Sequence, residues 1–449
     1  MKGKTKRLVS VLTAVGMLFM CLLGGTTQAS ADEALSNLVD GWPKMRDINE
    51  QSGLVVDADG GGVIYSLNRD ATRYPASTTK VLTALLVIEN ASLDDIVTMT
   101  NTGVQMAISG STNANTKEGE QFTVEQCLYM LMLKSANDIA NQLAEHVAGS
   151  MDAFVGMMND RARELGCTGT NFRNPSGMPD SEHYTTPADM ALIVNAAIKN
   201  ETFVRIAQAE SVTIPPTNKT SENRVYTNHN ALVVKDSGYY YEYCFAGKTG
   251  YTDSAWRTYV SAAKKDGRTL ICVLMKGPDK NDFVDAKDLF EYGFNEFEKI
   301  DVPGGSVTLP KGMDISKTTD ETEILGDGNR SVSFYYNKLP VGRAVMTEAE
   351  YCVMRGLPVP ETAVSDAAAV SSAEAPAENG DESGSAEVKE KSSRRAGWLI
   401  PVIVIVLLCA LGLGGAIFYM EYKERKEREE KRRKIMERRR QKREEENKE

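Results

Sequence analysis

The spacing of hydrophobic residues changes along the chain, and each change predicts a different element. In "GLVVDADGGGVIYSL", two apolar runs flank a Gly-rich stretch, which predicts two strands joined by a turn. In "NDIANQLAEHVAG" and "MDAFVGMMNDRARELG", apolar residues recur at helical spacing, and "FTVEQCLYMLMLK" adds a capping box of Thr123 and Gln126. Strand spacing returns in "TYVSAAKKDGRTLICVLMKG", a predicted hairpin, and "DKNDFVDAKDLFEYGFNEFEK" predicts a closing amphipathic helix. The order predicts an α/β unit over 32–300, with an antiparallel sheet whose first and last strands come from opposite ends of the unit.

The residues after this unit change character twice. Residues 301–358 are rich in Val, Gly, Pro and Thr, with short alternating runs such as "VSFYYNKL", and they predict a small all-β domain. Residues 361–388 hold seven acids and no base, a composition that cannot bury enough apolar surface to fold. We therefore expect an acidic disordered linker over 359–395.

Both ends of the chain carry segments typical of an exported, membrane-anchored protein. Residues 1–31 combine the basic start "MKGKTKR", an apolar run and the small-residue site "ASA", which predicts a signal peptide. Ala396–Met420 is an uncharged run of 25 residues, long enough to span a bilayer. The tail over 421–449 holds 14 Lys and Arg residues, and the more basic flank of a span faces the cytoplasm. The expected topology is an extracytoplasmic body at the cell membrane, one span and a cytoplasmic tail.

Charge and composition exclude several classes of function. The net charge is −10, and the basic ends leave the body between them still more acidic, which argues against a nucleic-acid partner. Five cysteines lie between the signal and the span with wide spacings and no CxxC, so no disulfide framework is indicated. We expect neither a metal nor a cofactor, because the three histidines have no metal-ligand spacing: His146, His183 and His229.

Two serines stand three residues before a lysine, and their predicted elements separate them. Ser77 and Lys80, in "PASTTK", open a predicted helix, where residues three apart share a face. Ser261 and Lys264 lie on a predicted strand, where the same offset points side chains to opposite faces. A first helical turn also offers free backbone N–H groups, which suit an oxyanion. Taken alone, however, the first pair also fits a capping serine and a solvated lysine.

Two shorter motifs favour a catalytic role for Ser77. The motif "SAN" (Ser135, Asn137) lies in a sharp break between two apolar helices, so its polar groups could project into a cleft. The similar "STN" (Ser111, Asn113) and "SEN" motifs are expected in solvated loops. "KTG" at Lys248–Gly250 occurs once, before strand-like residues, and its glycine would let a ligand approach a sheet edge closely.

SxxK, SxN and KTG in this order resemble the motifs of the penicillin-recognising serine enzymes. The stretches "YPASTTKVLTALLVIE", "LMLKSANDIANQLAEHVAGS", "GCTGTNFRNPSGMPDSEHYTTPADMALI" and "FAGKTGYTDSA" resemble the low-molecular-mass penicillin-binding proteins, the serine-type D-alanyl-D-alanine carboxypeptidases of the peptidase S11 family. The resemblance covers about residues 33–300, and the β domain more loosely. It implies a penicillin-binding/β-lactamase-like transpeptidase fold of the α/β (α+β) class, with an antiparallel sheet and a helical subdomain.

The resemblance also implies a role for each motif residue. Ser77 would attack the carbonyl of the penultimate D-Ala, and Lys80 would be its general base, kept neutral by burial and by a second cation, Lys248. Ser135 would relay a proton to the departing amine. The remaining residues would bind substrate: Asn137 its amide, Lys248 and Thr249 its terminal carboxylate beside Gly250, and the N–H groups of Ser77 and Tyr251 its oxyanion.

The implied substrate is a peptidoglycan stem peptide ending in D-Ala-D-Ala, with β-lactam antibiotics as covalent inhibitors. The first alternative is a class A β-lactamase, but no Glu-x-x-x-Asn element lies between the SxN and KTG motifs. The second is a penicillin-sensing receptor, but the charged tail is too short and too repetitive to form a catalytic output domain. Trp256 and Arg257 depart from the small, Gly-containing pair of relatives, which leaves the shape of that strand open. His229 either lines the cleft or is structural.

Overall fold

A computed structural model of the chain describes residues 34–105, 111–278 and 281–359. The helices of the described residues are Leu35–Leu38 (α1), Lys80–Asn90 (α2), Asn101–Gln105 (α3), Val124–Tyr129 (α4), Asn137–Ala148 (α5), Met151–Glu164 (α6), Pro187–Ala197 (α7), Glu201–Ala207 (α8), Asp282–Glu296 (α9) and Glu348–Arg355 (α10). The strands are Ser52–Asp57 (β1), Val63–Leu67 (β2), Ile96–Thr98 (β3), Gln121–Thr123 (β4), Ser211–Ile214 (β5), Arg224–Thr227 (β6), Cys244–Thr252 (β7), Trp256–Lys265 (β8), Arg268–Gly277 (β9), Phe297–Val302 (β10), Gly305–Pro310 (β11), Thr319–Ile324 (β12), Arg330–Tyr336 (β13) and Leu339–Met346 (β14).

The predicted signal peptide, span and tail lie outside the described residues, as does nearly all of the predicted linker. None of the helices in the described ranges is long and apolar enough to cross a membrane.

The first sheet has five antiparallel strands in the order β2-β1-β9-β8-β7. It joins β1 and β2 from the start of the unit to β7, β8 and β9 from its end, which confirms the predicted arrangement. The β8–β9 hairpin turns through Asp266 and Gly267, both with positive φ (50° and 79°), as a two-residue hairpin turn requires. Strand β7 is an edge strand of this sheet, so one side of its backbone faces away from β8.

The helical part of the unit packs around α2, whose first eight residues are all buried. Helix α4 begins with the predicted capping box, in which Thr123 and Gln126 each bond the other's backbone N–H. The chain then passes through a π-helical segment, Met130–Lys134, before α5 starts at Asn137. The helical structure is interrupted between these two segments. Ser135 and Asn137 therefore lie at a bend between two buried segments.

A second sheet has the order β10-β11-β14-β13-β12, and all of its pairs are antiparallel. Its first strand starts at Phe297, directly after α9, among residues that the sequence analysis placed at the end of the first unit. Trp42 stacks on Tyr336 of this sheet with ring centroids 5.8 Å apart and contacts Phe297 at 5.1 Å. The exact domain boundaries stay predictions.

Candidate active site

Ser77 lies in a 3-10 turn, Ala76–Thr79, that runs directly into α2. The turn brings Ser77 Oγ within 3.0 Å of Lys80 Nζ. Ala76 has φ = 49° although it is not a glycine, and such conformations persist only where the surroundings impose them. One such constraint is Gly177, where a Cβ atom would stand 1.7 Å from the Ala76 carbonyl oxygen. The backbone of the Gly177 loop therefore packs directly against the turn that carries the serine.

Lys80 is completely buried and has two further polar neighbours. Its Nζ lies 2.7 Å from Asn137 Oδ1 and 2.6 Å from the Ser176 carbonyl oxygen. Both of these oxygens are acceptors only, so they take two N–H groups of the amine. A neutral amine has two N–H groups and one lone pair, which leaves the lone pair directed at the Ser77 hydroxyl. The contacts thus suit a base that removes the Ser77 proton.

The electrostatic surroundings favour this neutral form. Burial lowers the pKa of Lys80 well below its ordinary value, the positive charge of Lys248 lowers it further, and Asp138 opposes both. Burial also lowers the pKa of Lys248, to about 7. Both lysines therefore lose their protons more readily than a solvated lysine does.

The loop that holds the Ser176 carbonyl is organised by one asparagine. Asn174 Oδ1 accepts hydrogen bonds from the N–H groups of Ser176 (3.2 Å), Gly177 (2.8 Å) and Met178 (3.0 Å). This side chain closes the loop in the manner of an Asx turn. The loop sequence "NPSGMPD" lies in one of the stretches that carry the family resemblance, but no site residue was predicted in it. Its Asn-Pro-Ser-Gly composition is the turn signal that could have indicated a fixed loop.

The SxN motif faces Ser77 from the bend before α5. Ser135 has φ = 63°, a left-handed conformation that ends the π-helical segment. Its hydroxyl shares the cleft with Ser77 and Asn137, and among the described residues it forms no hydrogen bond to either lysine. Asn137 Oδ1 contacts Lys80, which leaves its Nδ2 atom near Met178, 3.5 Å from the sulfur.

The KTG motif lies on edge strand β7, opposite the serine turn. A Cβ atom at Gly250 would stand 2.8 Å from the Ser77 backbone nitrogen and 2.4 Å from Thr258 Oγ1. The glycine is therefore required by the turn that carries Ser77, and not only by an approaching ligand. Lys248 is buried, and its Nζ donates to the Thr249 carbonyl oxygen at 2.9 Å.

A cleft of about 670 Å³ opens between these motifs. Of the predicted site residues, six line it: Ser77, Ser135, Asn137, Thr249, Gly250 and Tyr251. Lys80 and Lys248 lie beneath its floor, each at most 1% exposed. His229 lines the cleft too, which decides between its two predicted positions.

The prediction of a solvated loop at the "STN" motif was wrong in part. Ser111 and Thr112 line the cleft, and the Ser111 hydroxyl is buried instead of solvated. The Thr112 carbonyl oxygen accepts the Asn137 N–H at 2.9 Å, so this loop is fastened to the SxN motif. A tertiary contact of this kind leaves no mark in the local pattern, because Ser-Thr-Asn is equally typical of free loops.

Arg257 is the one positively charged side chain among the described residues that line the cleft. Its Nη2 donates to both carboxylate oxygens of Asp282, at 2.9 and 2.6 Å. Asp282 is buried, and Arg257 keeps 18% of its side chain exposed. Its Nε atom is buried and has no hydrogen-bond partner within the described residues. The departure from relatives at Trp256 and Arg257 thus places a guanidinium, held by Asp282, opposite Tyr251 near the end of β7.

Comparison with known proteins places the chain in a family. The family model described as D-alanyl-D-alanine carboxypeptidase matches residues 40–279. D-alanyl-D-alanine carboxypeptidase DacB2 of Mycobacterium tuberculosis is 33% identical over 250 residues, which cover 54% of this chain and 82% of that protein. The chain belongs to the D-alanyl-D-alanine carboxypeptidase family.

One further sequence relative and one solved structure are also similar to this carboxypeptidase. DacA of Escherichia coli is 29% identical over 341 residues, which cover 72% of this chain and 78% of that protein. The crystal structure of the Streptomyces K15 DD-transpeptidase matches with 29% identity and a TM-score of 0.53, over 56% of this chain and 99% of that one. The carboxypeptidase thus has the DD-transpeptidase fold with a helical subdomain, and it carries a second, all-antiparallel sheet. It is a serine-type enzyme of the S11 family.

Proposed function

We propose that the protein removes the terminal D-Ala from peptidoglycan stem peptides through an acyl-enzyme on Ser77. The observation that carries the proposal is the 3.0 Å contact between Ser77 Oγ and the buried Lys80 Nζ. Lys80 takes the hydroxyl proton as Ser77 Oγ forms a bond to the carbonyl carbon of the penultimate D-Ala. Because Asn137 Oδ1 and the Ser176 carbonyl fix the amine, its lone pair needs no reorientation before this step.

The oxyanion formed by this attack meets backbone donors at the Ser77 turn. Ser77 is in a first helical turn, where N–H groups lack acceptors within the helix. Tyr251 lies on edge strand β7, where alternate N–H groups point away from the neighbouring strand. These two N–H groups would stabilise the negative charge as it develops.

Collapse of this intermediate breaks the peptide C–N bond. The proton held by Lys80 passes through the Ser135 hydroxyl to the departing D-Ala nitrogen, and Asn137 Nδ2 holds the substrate amide. Ser135 suits a relay because it lines the same cleft as Ser77 and Asn137. Water then attacks the ester carbonyl and gives up a proton to Lys80. The bond between the acyl carbon and Ser77 Oγ breaks, and Lys80 returns the proton to Ser77 Oγ.

Recognition of the terminal carboxylate is assigned to Thr249 and Arg257. Lys248 was expected to bind this carboxylate, but it is buried below the cleft and donates to the Thr249 carbonyl. Arg257 lines the cleft opposite Tyr251 of the neighbouring strand, and 18% of its side chain remains exposed. A guanidinium held by Asp282 would pair with a carboxylate, the group that distinguishes a chain end from an internal peptide bond. Lys248 would then act on Lys80 through its charge.

The second candidate function is acyl transfer to an amine in place of water. It is favoured by the likeness to the Streptomyces K15 DD-transpeptidase. Both functions share every step up to the acyl-enzyme. They differ in the molecule that takes the acyl group from Ser77, which is water in the carboxypeptidase and an amine in the transpeptidase.

The protein would act outside the cytoplasmic membrane, held by the span over 396–420 with its tail inside. This part of the proposal rests on the apolar run of the sequence and its basic flank. Under this arrangement penicillins would acylate Ser77 from the extracytoplasmic side.

The test uses the full-length protein in non-ionic detergent with a pentapeptide ending in D-Ala-D-Ala. Mass spectrometry is expected to find free D-Ala and the tetrapeptide, and added glycine reports transfer as a glycine-extended product. Stable labelling of Ser77 by penicillin without any release of D-Ala would contradict the peptidase and favour the sensor. Rapid turnover of penicillin would favour the β-lactamase.

A further inference from the structure

A second, smaller pocket lies beside the cleft, on the other side of the turn between β7 and β8. The cleft is lined by Thr252 and Asp253 of this turn, and the second pocket by Ser254 and Ala255. The pocket has a volume of about 190 Å³, which suits a small group and not a whole peptide. Its described lining contains two cations, five hydroxyl-bearing residues and no acid: Arg73, Lys276, Thr72, Tyr74, Ser181, Tyr184 and Ser254.

Among the described residues, only uncharged groups form hydrogen bonds with Arg73. Its backbone N–H donates to the Thr185 carbonyl at 2.8 Å, and its carbonyl accepts the Thr185 N–H at 2.9 Å. Its Nε donates to Ser52 Oγ at 3.0 Å and its Nη1 to the Thr72 carbonyl at 3.2 Å. Burial lowers the pKa of the guanidinium, and no carboxylate opposes this effect. The Nη2 donors therefore remain for a further acceptor.

Lys276 supplies the second charge from the end of β9. It has φ = 64°, and its Nζ lies 5.7 Å from the centroid of the Trp256 ring. In the described ranges neither Lys276 nor Arg73 forms an ion pair. Two unpaired cations that face one hydroxyl-lined pocket leave a positive charge without a counter-charge of the protein's own.

We propose that this pocket binds an oxyanion carried by a cell-wall polymer, and so holds the polymer next to the cleft. Arg73 and Lys276 supply charged hydrogen-bond donors, and the surrounding hydroxyl groups supply neutral ones. Donors of this kind recognise carboxylate and phosphoryl oxygens. The flanking rings of Tyr74 and Tyr184 would pack against the sugar or peptide that bears the anion. Two sources share this chemistry: a carboxylate of a neighbouring stem peptide and a phosphodiester of a wall polymer. The proposal does not depend on the reaction at Ser77.

The test measures binding of three probes by isothermal titration calorimetry, with the full-length protein in detergent. The probes are inorganic phosphate, a glycerol-phosphate oligomer and a tetrapeptide with a free carboxylate. Each titration is repeated after acylation with penicillin, because a ligand of the second pocket should still bind when the cleft is filled. The test variant is Arg73→Gln with Lys276→Gln. The matched control is Lys199→Gln with Lys264→Gln, two exposed lysines that border a different groove.

We expect at least one probe to bind, and the test variant to bind it at least about tenfold more weakly, since each charge-assisted hydrogen bond contributes on that scale. The control variant should bind normally, and both variants should be acylated by penicillin at the normal rate. Tighter binding of the glycerol-phosphate oligomer would identify a phosphodiester source, and tighter binding of the tetrapeptide a carboxylate source. The proposal is overturned if no probe binds, if the test variant binds normally, or if the control variant loses binding to the same degree.

Discussion

The chain contains Ser-x-x-Lys twice, and the two copies have nothing structural in common. Ser77 and Lys80 lie across one helical turn, with their terminal atoms 3.0 Å apart. Ser261 and Lys264 both lie on β8, where the serine is buried and the lysine exposed on the other side of the strand. Equal spacing therefore produces a reactive pair in one place and two unrelated side chains in the other. The backbone geometry decides the difference.

The two lysines also differ in how readily they lose their proton, which their position in the sequence motif does not determine. Lys264 is solvated, whereas Lys80 has a strongly lowered pKa because it is buried near Lys248. A serine and a lysine in contact at the surface would hold a protonated amine, which cannot accept a proton. Burial thus supplies what the helical turn alone does not.

The largest expected effect comes from removing the two serines one at a time. Ser77→Ala should abolish both penicillin labelling and release of D-Ala, because no other atom forms the acyl bond. Ser261→Ala should leave both at wild-type level, because Ser261 is fully buried on β8 and does not line the cleft. Intact-protein mass spectrometry after incubation with penicillin measures the labelling. Labelled Ser77→Ala protein would show that the helical pair is not the reactive one.

The lysines provide the next contrast. Lys80→Gln should slow acylation by about 10²–10⁴-fold, the usual contribution of a general base. Lys264→Gln should change neither the rate nor the free energy of unfolding by more than about 0.5 kcal/mol, as expected for an exposed side chain. Stopped-flow acylation with a fluorescent penicillin gives the rates, and circular dichroism confirms that both variants fold. Near-normal acylation of Lys80→Gln would refute its assignment as the base.

The strand that carries the inert pair also carries Arg257, and this allows a sharper test of that strand. Arg257→Gln should lower kcat/KM about 10–100-fold for a substrate with a free carboxylate, the range of a hydrogen bond to a charged group. A substrate with a C-terminal carboxamide should be affected much less. The double variant Arg257→Gln with Asp282→Asn should behave like the single one, and it avoids leaving a buried carboxylate unpaired. Equal losses for both substrates would contradict carboxylate recognition by Arg257.

Much of the fold and the core of the site could be predicted because their signals are local. The capping box at Thr123, the hairpin turn at Asp266 and the three catalytic motifs each occupy only a few neighbouring residues. The prediction that one antiparallel sheet joins the first and last strands of the unit followed from the order of elements, and it is confirmed.

The features that were missed depend on contacts between distant segments. The carbonyl of Ser176 reaches Lys80 across 96 positions of sequence, and the Arg257–Asp282 pair joins a strand to a helix. The burial of the Ser111 hydroxyl depends on how its loop is held by the hydrogen bond from Asn137 N–H to the Thr112 carbonyl. Spacing within one chain segment carries no information on such contacts. The predicted role of Lys248 at the substrate carboxylate stays a prediction, and its burial and its contact with the Thr249 carbonyl were not foreseen.

The smallest expected effect concerns the charge that Lys248 adds to the surroundings of Lys80. Acylation requires neutral Lys80, so its rate should rise with pH through the pKa of that lysine and then level off. The charge of Lys248 lowers this pKa, hence Lys248→Gln should raise it and move the rising limb to higher pH. The shift should be smaller than the total lowering, because burial is the larger cause and remains in the variant. Acylation rates between pH 5 and 9 measure the limb, with Lys264→Gln as the charge-matched control. A limb that stays in place in Lys248→Gln, or that moves equally in Lys264→Gln, would mean that burial alone distinguishes the reactive lysine from the inert one.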